Sequence, residues 1–351
     1  MNTVNNGNNG NNYGGVGGLK TTLLYGLGNP LLDVVYKVEQ DFPTARGLVP
    51  GSMNLVSEPP RFGSDAPPVI AKVAGGSCAN TMRGVAWLSG SDGSVRTVLG
   101  GSVGVDLPAE EFRTALQKVG VTAALAEKQV PTGCATVMVT PDAERTMCTY
   151  LGASGRMTVE DLDTEVLAEC DHLHSTGYFF ESDVQRTTLT AAVEQVKARG
   201  GTVSFDVSDS FVIERHLHEL ISWLPGRVDT LFANLAELTA LTGISGDPEL
   251  LFERALEMVP EVALKLGSQG CIVGGDDGAV ILPAEDVVAV DTNGAGDSFA
   301  AGFLYARLMG EPRAVCARLA NQLAGNMVTV IGCDYDAVAE KTGGVLGRTS
   351  E

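Results

Sequence analysis

No Cys-x-x-Cys pair occurs among the seven cysteines (Cys78, Cys134, Cys148, Cys170, Cys271, Cys316 and Cys333), and their number is odd. A disulfide framework or a zinc ribbon needs paired spacing, so these residues read as reduced thiols of a cytoplasmic protein, most of them small core residues. Histidine is scarce, with His172/His174 and His216/His218 the whole supply. Neither a Cys nor a third His is spaced to complete a zinc site, which favours exposed or capping histidines. No apolar run approaches the roughly 20 residues of a membrane span. The N-terminus lacks a basic start and an apolar signal core, so secretion is not expected. Basic residues are few as well: 24 Lys and Arg against 43 Asp and Glu give a formal charge of −19. That balance argues against nucleic acid as the main partner, since a phosphate backbone needs basic patches. A nucleotide ligand is still allowed, because a few N–H groups, one Arg or Lys and a Mg²⁺ can hold a triphosphate. No G-x-x-x-x-G-K-[ST] is present, which argues against a P-loop fold, and Gly26-Leu27-Gly28-Asn29-Pro30 lacks the third glycine of a dinucleotide fingerprint.

What is present is a core. Apolar residues make up 44% of the 351, against 19% charged, enough for one large α/β domain or two ordinary ones. Residues 1–18 are Asn- and Gly-rich and are expected to be a disordered tail, as are residues 343–351. Between them, over 19–342, strands alternate with helices. Strands are expected at 21–26, 95–99, 202–207, 230–233 and 262–266, and helices at 80–87, 110–119, 189–198 and from Ala295 onward. This alternation predicts a mostly parallel sheet with helices on both faces. Two stretches, 33–57 and 135–151, look instead like antiparallel strands outside the main sheet, suited to a lid that excludes water.

One segment stands out chemically. Val287 to Val290 reads as an apolar strand, Asp291-Thr292-Asn293-Gly294-Ala295-Gly296-Asp297 as a glycine turn, and Ser298 onward as a helix. The first-turn N–H groups of a helix have no partner within it. Gly294, Ala295 and Gly296 could offer theirs to a phosphoryl group, with Asp297 taking the proton of an attacking alcohol. An N-capping Asp with a glycine turn explains the same residues equally well. Gly75-Gly76-Ser77-Cys78-Ala79-Asn80 opens another helix, where a ligand-binding turn and a tight packing turn are both open readings. Asn234 and Glu237 follow an apolar strand, and by themselves read first as a helix cap with its capping-box Glu.

Taken together and in this order, these segments resemble the ribokinase-like (PfkB) carbohydrate and nucleoside kinases, and within them the adenosine kinases, from about Leu23 to Cys333. The resemblance implies a three-layer α/β/α fold with a mostly parallel central sheet and a small β-sheet lid. It implies ATP and Mg²⁺ as cofactors and a nucleoside or sugar as the small-molecule partner. Gly28 to Asp33 looks like the adenosine kinase opening, so Asn29 and Asp33 would hold sugar hydroxyls, with Gly75, Gly76 and Asn80 from the family's Gly-Gly-x-x-x-Asn. Asn234 and Glu237 match its Asn-x-x-Glu, in which Glu237 would organise Mg²⁺ through water. Lys265, Gly267 and Gly270 look like the turn beside the nucleotide, and Asn293 is the form adenosine kinases tend to carry. Arg145 sits where a lid arginine would meet the phosphates, or is a surface Arg paired with a carboxylate. Phe179 resembles an aromatic near the substrate base, or is core. Two departures are visible: Cys78 and Ala79 replace polar residues, and Gly47-Leu48-Val49-Pro50 carries no aromatic for a purine. The leading expectation is phosphorylation of the 5′-hydroxyl of adenosine by a monomer or homodimer. Alternatives are a sugar kinase of the same family and a catalytically silent nucleotide-binding protein.

Overall fold

The computed structural model describes residues 21–342 apart from 64–65, 91–92 and 143. Both tails expected to be disordered lie outside the described residues. The elements are β1 (Thr22–Leu27), β2 (Leu31–Lys37), β3 (Met53–Leu55), β4 (Val69–Gly75), α1 (Ser77–Ser89), β5 (Val95–Val103), α2 (Leu107–Lys118), β6 (Thr122–Glu127), β7 (Gly133–Val139), β8 (Arg145–Tyr150), α3 (Thr164–Glu169), β9 (His172–Thr176), α4 (Asp183–Ala198) and β10 (Thr202–Asp206). They continue as α5 (Ser210–Trp223), β11 (Thr230–Asn234), α6 (Leu235–Thr242), α7 (Pro248–Leu256), β12 (Glu261–Lys265), β13 (Cys271–Gly275), β14 (Gly278–Leu282), α8 (Ala295–Leu308), α9 (Arg313–Met327) and α10 (Tyr335–Thr342).

Nine strands form one sheet in the order β14-β13-β12-β11-β10-β9-β1-β5-β6. It is parallel from β12 to β6, with an antiparallel edge at β13 and β14. Alternation along β1 shows how two helical layers are recruited. Leu23, Tyr25 and Leu27 point to a core built with α4 to α7, while Leu24 points to one built with α1, α2, α8, α9 and α10. Gly26 of β1 and Gly28 just after it serve this packing. A Cβ on Gly26 would lie 2.5 Å from Met82 Cγ, and one on Gly28 would lie 2.5 Å from Cys78 Cβ. Glycine there lets α1 approach β1 closely, and it explains why a small Cys78 follows Gly76-Ser77. All seven cysteines are unpaired, and all but Cys134 are buried.

β1 lies between β5 and β9, so the chain leaves it once in each direction across the sheet. Such a switch point leaves a crevice beyond the carboxyl ends of the strands. Over that crevice stands a second sheet, ordered β3-β8-β7-β2-β4.

The structure corrects four expectations. The second sheet is mixed, not antiparallel, since β2 pairs β7 and β3 pairs β8 in parallel. It also gains β4, whose short Val-Ile-Ala-Lys-Val-Ala-Gly run carries little alternation. Val287 to Val290 is not a strand: Val288 is 86% exposed, and Val290 and Asp291 donate to the single carbonyl of Val328 instead of joining a ladder. Finally, His172 and His174 are neither exposed nor capping. They are buried on β9, bonded to Thr202 and Ser204 hydroxyls, and burial pushes both down to about 3, so they are neutral core residues. Among the described residues no helix is long and apolar enough to cross a membrane.

Candidate active site

Two helix N-termini meet beneath the second sheet. Gly76 caps α1 with φ 93°, and a Cβ there would lie 2.2 Å from the Asn29 carbonyl oxygen, so no other residue fits. This turn aims Ser77 and Asn80 at the start of α8. Gly294 caps α8 with φ 74°, and its bare Cα rests against Cys333, which a Cβ would approach to 2.6 Å. Asp297 then lies in the first turn. Ser77 Oγ donates to its Oδ1 at 2.6 Å and Asn80 Nδ2 to its Oδ2 at 2.8 Å. Burial pushes the carboxyl up to about 6, against the lowering effect of those two hydrogen bonds. Ala295 N–H donates to the Thr292 carbonyl, whereas the N–H groups of Gly296 and Asp297 take no backbone acceptor among the described residues. Two first-turn donors therefore stand beside a fixed carboxylate.

Asp33 sits on β2 of the second sheet, opposite Val73 of β4 and Ala135 of β7. Burial raises it to about 7, opposed by Arg145. A Cβ on Gly75 would lie 2.3 Å from Asp33 Oδ1, so Gly75 makes room for this carboxylate and does not itself line the cleft. Asn29 lines it, with its Oδ1 accepting from Gln185 Nε2 at 2.6 Å.

On the other side, the strand ends of β10, β11 and β12 converge. Asn234 and Glu237 form a complete capping box: Glu237 N–H donates to Asn234 Oδ1 at 2.9 Å, while Asn234 N–H and Nδ2 donate to the two carboxylate oxygens at 2.7 Å each. The bland reading of this pair is thus present in the fold, yet both residues line the cleft. Burial raises Glu237, opposed by Lys265. Lys265 Nζ pairs with Asp206 Oδ2 at 2.8 Å. Gly267, with φ 59°, also faces the cleft. Gly270 does not; it shapes the turn to β13, where a Cβ would lie 1.9 Å from the Leu282 carbonyl oxygen.

Arg145 projects from β8 across to Asp291, their atoms 2.7 Å apart, and Asp291 also accepts from the N–H groups of Asn293 and Gly332. Arg145 therefore meets a carboxylate at the cleft edge, and the pair ties the second sheet to the loop before α8. Phe179 is wholly buried in the core and faces no cleft; its neighbour Tyr178 lines the cleft instead. Leu31, Met53, Leu55 and Met147 of the second sheet, with Leu151 just past β8, supply an apolar wall, faced by Phe211.

The cleft so enclosed holds ≈ 600 Å³ and joins a second space of ≈ 1020 Å³ that shares Asp33, Asn80, Arg145 and Asn293 with it. Ala295 itself does not line either space, though its flanking glycine Gly294 lines the cleft. Sequence reasoning missed Ser77, Tyr178, Asp206 and Gln185. Asp206 had a usable signal, since it lies at the carboxyl end of an expected strand, where open α/β sheets bind ligands. Gln185 and Tyr178 had none.

The donor set can be tested against Mg²⁺. Both Glu237 oxygens already accept a short hydrogen bond, which leaves outward lone pairs for ordered water and suits a metal held through its hydration shell. No group of three or more His, Cys, Asp or Glu residues among those described is arranged to hold a metal directly.

Comparison with known proteins agrees with this geometry. Residues 57–340 match the model of the pfkB family carbohydrate kinases. Adenosine kinase of Schizosaccharomyces pombe is 26% identical over 336 residues, covering 90% of this chain and 96% of that protein. An ATP-dependent ribose-1-phosphate kinase of Halopiger xanaduensis is 32% identical over 233 residues, covering 66% of this chain and 72% of that one. The crystal structure of adenosine kinase from Sinorhizobium meliloti superposes with a TM-score of 0.81 at 29% identity, covering 92% of this chain and 99% of that chain. With its ribokinase-like fold, the chain belongs to the pfkB family and is an ATP-dependent kinase of the nucleoside or sugar class.

Proposed function

We propose that the protein transfers the γ-phosphoryl group of ATP to the 5′-hydroxyl of adenosine or a close ribonucleoside, with Asp297 as general base. The observation that carries this is the placement of Asp297: a carboxylate held by Ser77 and Asn80, raised to about 6, beside the open N–H groups of the α8 N-terminus. A base with such a pKa is ionised at neutral pH and still accepts a proton readily. The substrate hydroxyl gives its proton to Asp297 while its oxygen forms a bond to the γ-phosphorus, and the bond to the bridging oxygen breaks to release ADP. The turn Gly294-Ala295-Gly296 supplies the anion hole, chiefly through the donors of Gly296 and Asp297, where negative charge builds on the transferring group. Mg²⁺, held through water near Glu237, would neutralise phosphate charge.

Asp33 and Asn80, with Asn29 alongside, suit vicinal sugar hydroxyls, since a carboxylate accepts from two at once and an amide both donates and accepts. The apolar wall of Met53, Leu55, Met147 and Leu151 gives a base a place to lie, which a free sugar does not need. A phosphorylated sugar suits the cleft less well. Asp33, Glu181, Asp206, Asp209, Glu237 and Asp297 outnumber Lys265 and Arg145 around it.

The test is release of ADP from ATP with adenosine, other nucleosides, ribose, fructose and ribose 1-phosphate as acceptors. Turnover with adenosine at least about tenfold above the free sugars is expected, because an occupied apolar subsite is worth one or more kcal/mol. Preference for a free or phosphorylated sugar would overturn the nucleoside assignment. Asp297→Asn should retain ATP binding and lose turnover by about 100-fold or more; near-normal turnover would remove Asp297 as the base.

A further inference from the structure

Asp206 and Ser208 take no part in the transfer step described above, yet the fold invests in their placement. Ser208 is the one residue other than glycine among those described with a left-handed backbone, at φ 71°. Such a conformation costs of order 1 kcal/mol and persists where neighbours enforce it. Here its N–H donates to Asp206 Oδ1 at 2.9 Å and its Oγ to the Asp206 carbonyl at 2.9 Å. The other oxygen, Oδ2, pairs with Lys265 Nζ at 2.8 Å. Asp206 is 3% exposed, and the Lys265 side chain 14%. That ammonium lies beside the α8 N-terminus, 3.3 Å from where a Cβ on Gly296 would sit.

We propose that Asp206 is a positioning residue, which the strained Ser208 turn aims at Lys265 so that the ammonium stands fixed beside Gly296, facing the oxygens of the phosphoryl group in transfer. Lys265 and the first-turn N–H groups of α8 then form one electropositive pocket, assembled from β10, β12 and α8. A flexible lysine is a poor transition-state ligand unless something holds it, because reorganisation costs what the charge would gain. Asp206 holds it with a single carboxylate oxygen at 2.8 Å. This assignment rests on the phosphoryl-transfer reading, with the α8 N-terminus as the place where charge develops.

The experiment compares Asp206→Asn, Lys265→Met and the double variant in steady-state ADP release with the best acceptor found above. Lys265→Met should lower kcat by about 100-fold, the scale for removing one preorganised charge donor, with a smaller change in the KM for ATP. Asp206→Asn should lower kcat by about 10-fold or more, but should add nothing in the Lys265→Met background, since it acts only through that ammonium. Multiplicative losses in the double variant, or unchanged kcat in Asp206→Asn, would overturn the proposal. A second readout is the acid limb of kcat/KM. Lys265 acts on Asp206, Glu237 and Asp297, while Asp297 also feels Asp206 and acts on Asp33, and Asp209 acts on Glu237. Asp206→Asn should move the limb to lower pH and Lys265→Met to higher pH, since each removes a charge that acts on Asp297; positioning itself is read from the double variant. Should Asp206→Asn melt too early to assay, Ser208→Val, which resists a left-handed backbone, replaces it with the same predictions for kcat and for the double variant. The outcomes stay separable from the parent reading: an active Asp297→Asn enzyme defeats that reading, whereas an inactive one with additive Asp206 and Lys265 effects defeats only this proposal.

Discussion

Single residues in this cleft act through what surrounds them. Asp297 and Asp33 are both carboxylates, and burial raises both, to about 6 and about 7. For Asp297 as base, the ionised form must be present, so kcat/KM should rise with pH through about 6 and level off above it. A pH-rate profile that stays flat down to the ordinary carboxylate range would contradict the role. Phe179 teaches the opposite lesson. As an aromatic beside the substrate base its loss would raise KM; as the wholly buried residue found here, its loss leaves a cavity. Phe179→Ala should therefore destabilise the fold by about 3–5 kcal/mol. Urea unfolding together with the KM for the acceptor separates the two readings, and a changed KM at unchanged stability would restore the first.

At the scale of elements, the site is a matter of helix ends and strand ends. Gly76 and Gly294 let two helices begin facing one another, while Asp206, Asn234 and Lys265 stand where three adjacent strands stop. The second sheet is joined to this frame at the cleft by Arg145 on Asp291. Replacing Arg145 by Gln leaves Asp291 with its two backbone donors, so global stability should fall by only about 1 kcal/mol. Hydrogen exchange in β8, by contrast, should speed up, because a strand of the small sheet loses its tie to the body. Unaltered β8 exchange would mean that the pair is no tether.

For the whole molecule, the raised carboxyls carry a stability signature. A group with its folded pKa above the unfolded value binds its proton more tightly in the native state. Its contribution is fully present below the unfolded value of 3.8 and is lost as pH rises through about 7 for Asp33 and about 6 for Asp297. Groups lowered by ion pairs and hydrogen bonds, such as Asp161 and Asp277, act in the opposite sense. The comparison is therefore best made against a variant: the melting temperature of Asp33→Asn should gain on that of the wild type between about pH 5 and about pH 8. A constant difference across that range would show that Asp33 does not titrate there.

The alternation of apolar runs with glycine turns determined β1, β5, β10, β11 and β12 and the helices beside them, because buried parallel strands and amphipathic helices write their period directly into the chain. The other strands of the same sheet, β6, β9, β13 and β14, were not read from it. The order of Asp33, Gly75 to Asn80, Asn234 to Glu237 and Asp291 to Asp297 likewise determined the kinase class. Tertiary structure alone decided the rest. Val287 to Val290 has a strand's composition but no neighbouring strand, so it remains a loop. Phe179 and Tyr178 are adjacent, and only packing against the core selects which one meets the cleft. The glycine turn at Asp291 to Asp297 was equally a cap or an anion site by spacing. What spacing could not supply is the setting of Asp297: Ser77 and Asn80, more than two hundred residues away in sequence, close on its carboxylate. Contacts of that span depend on how the sheet is wound, and no local pattern records them.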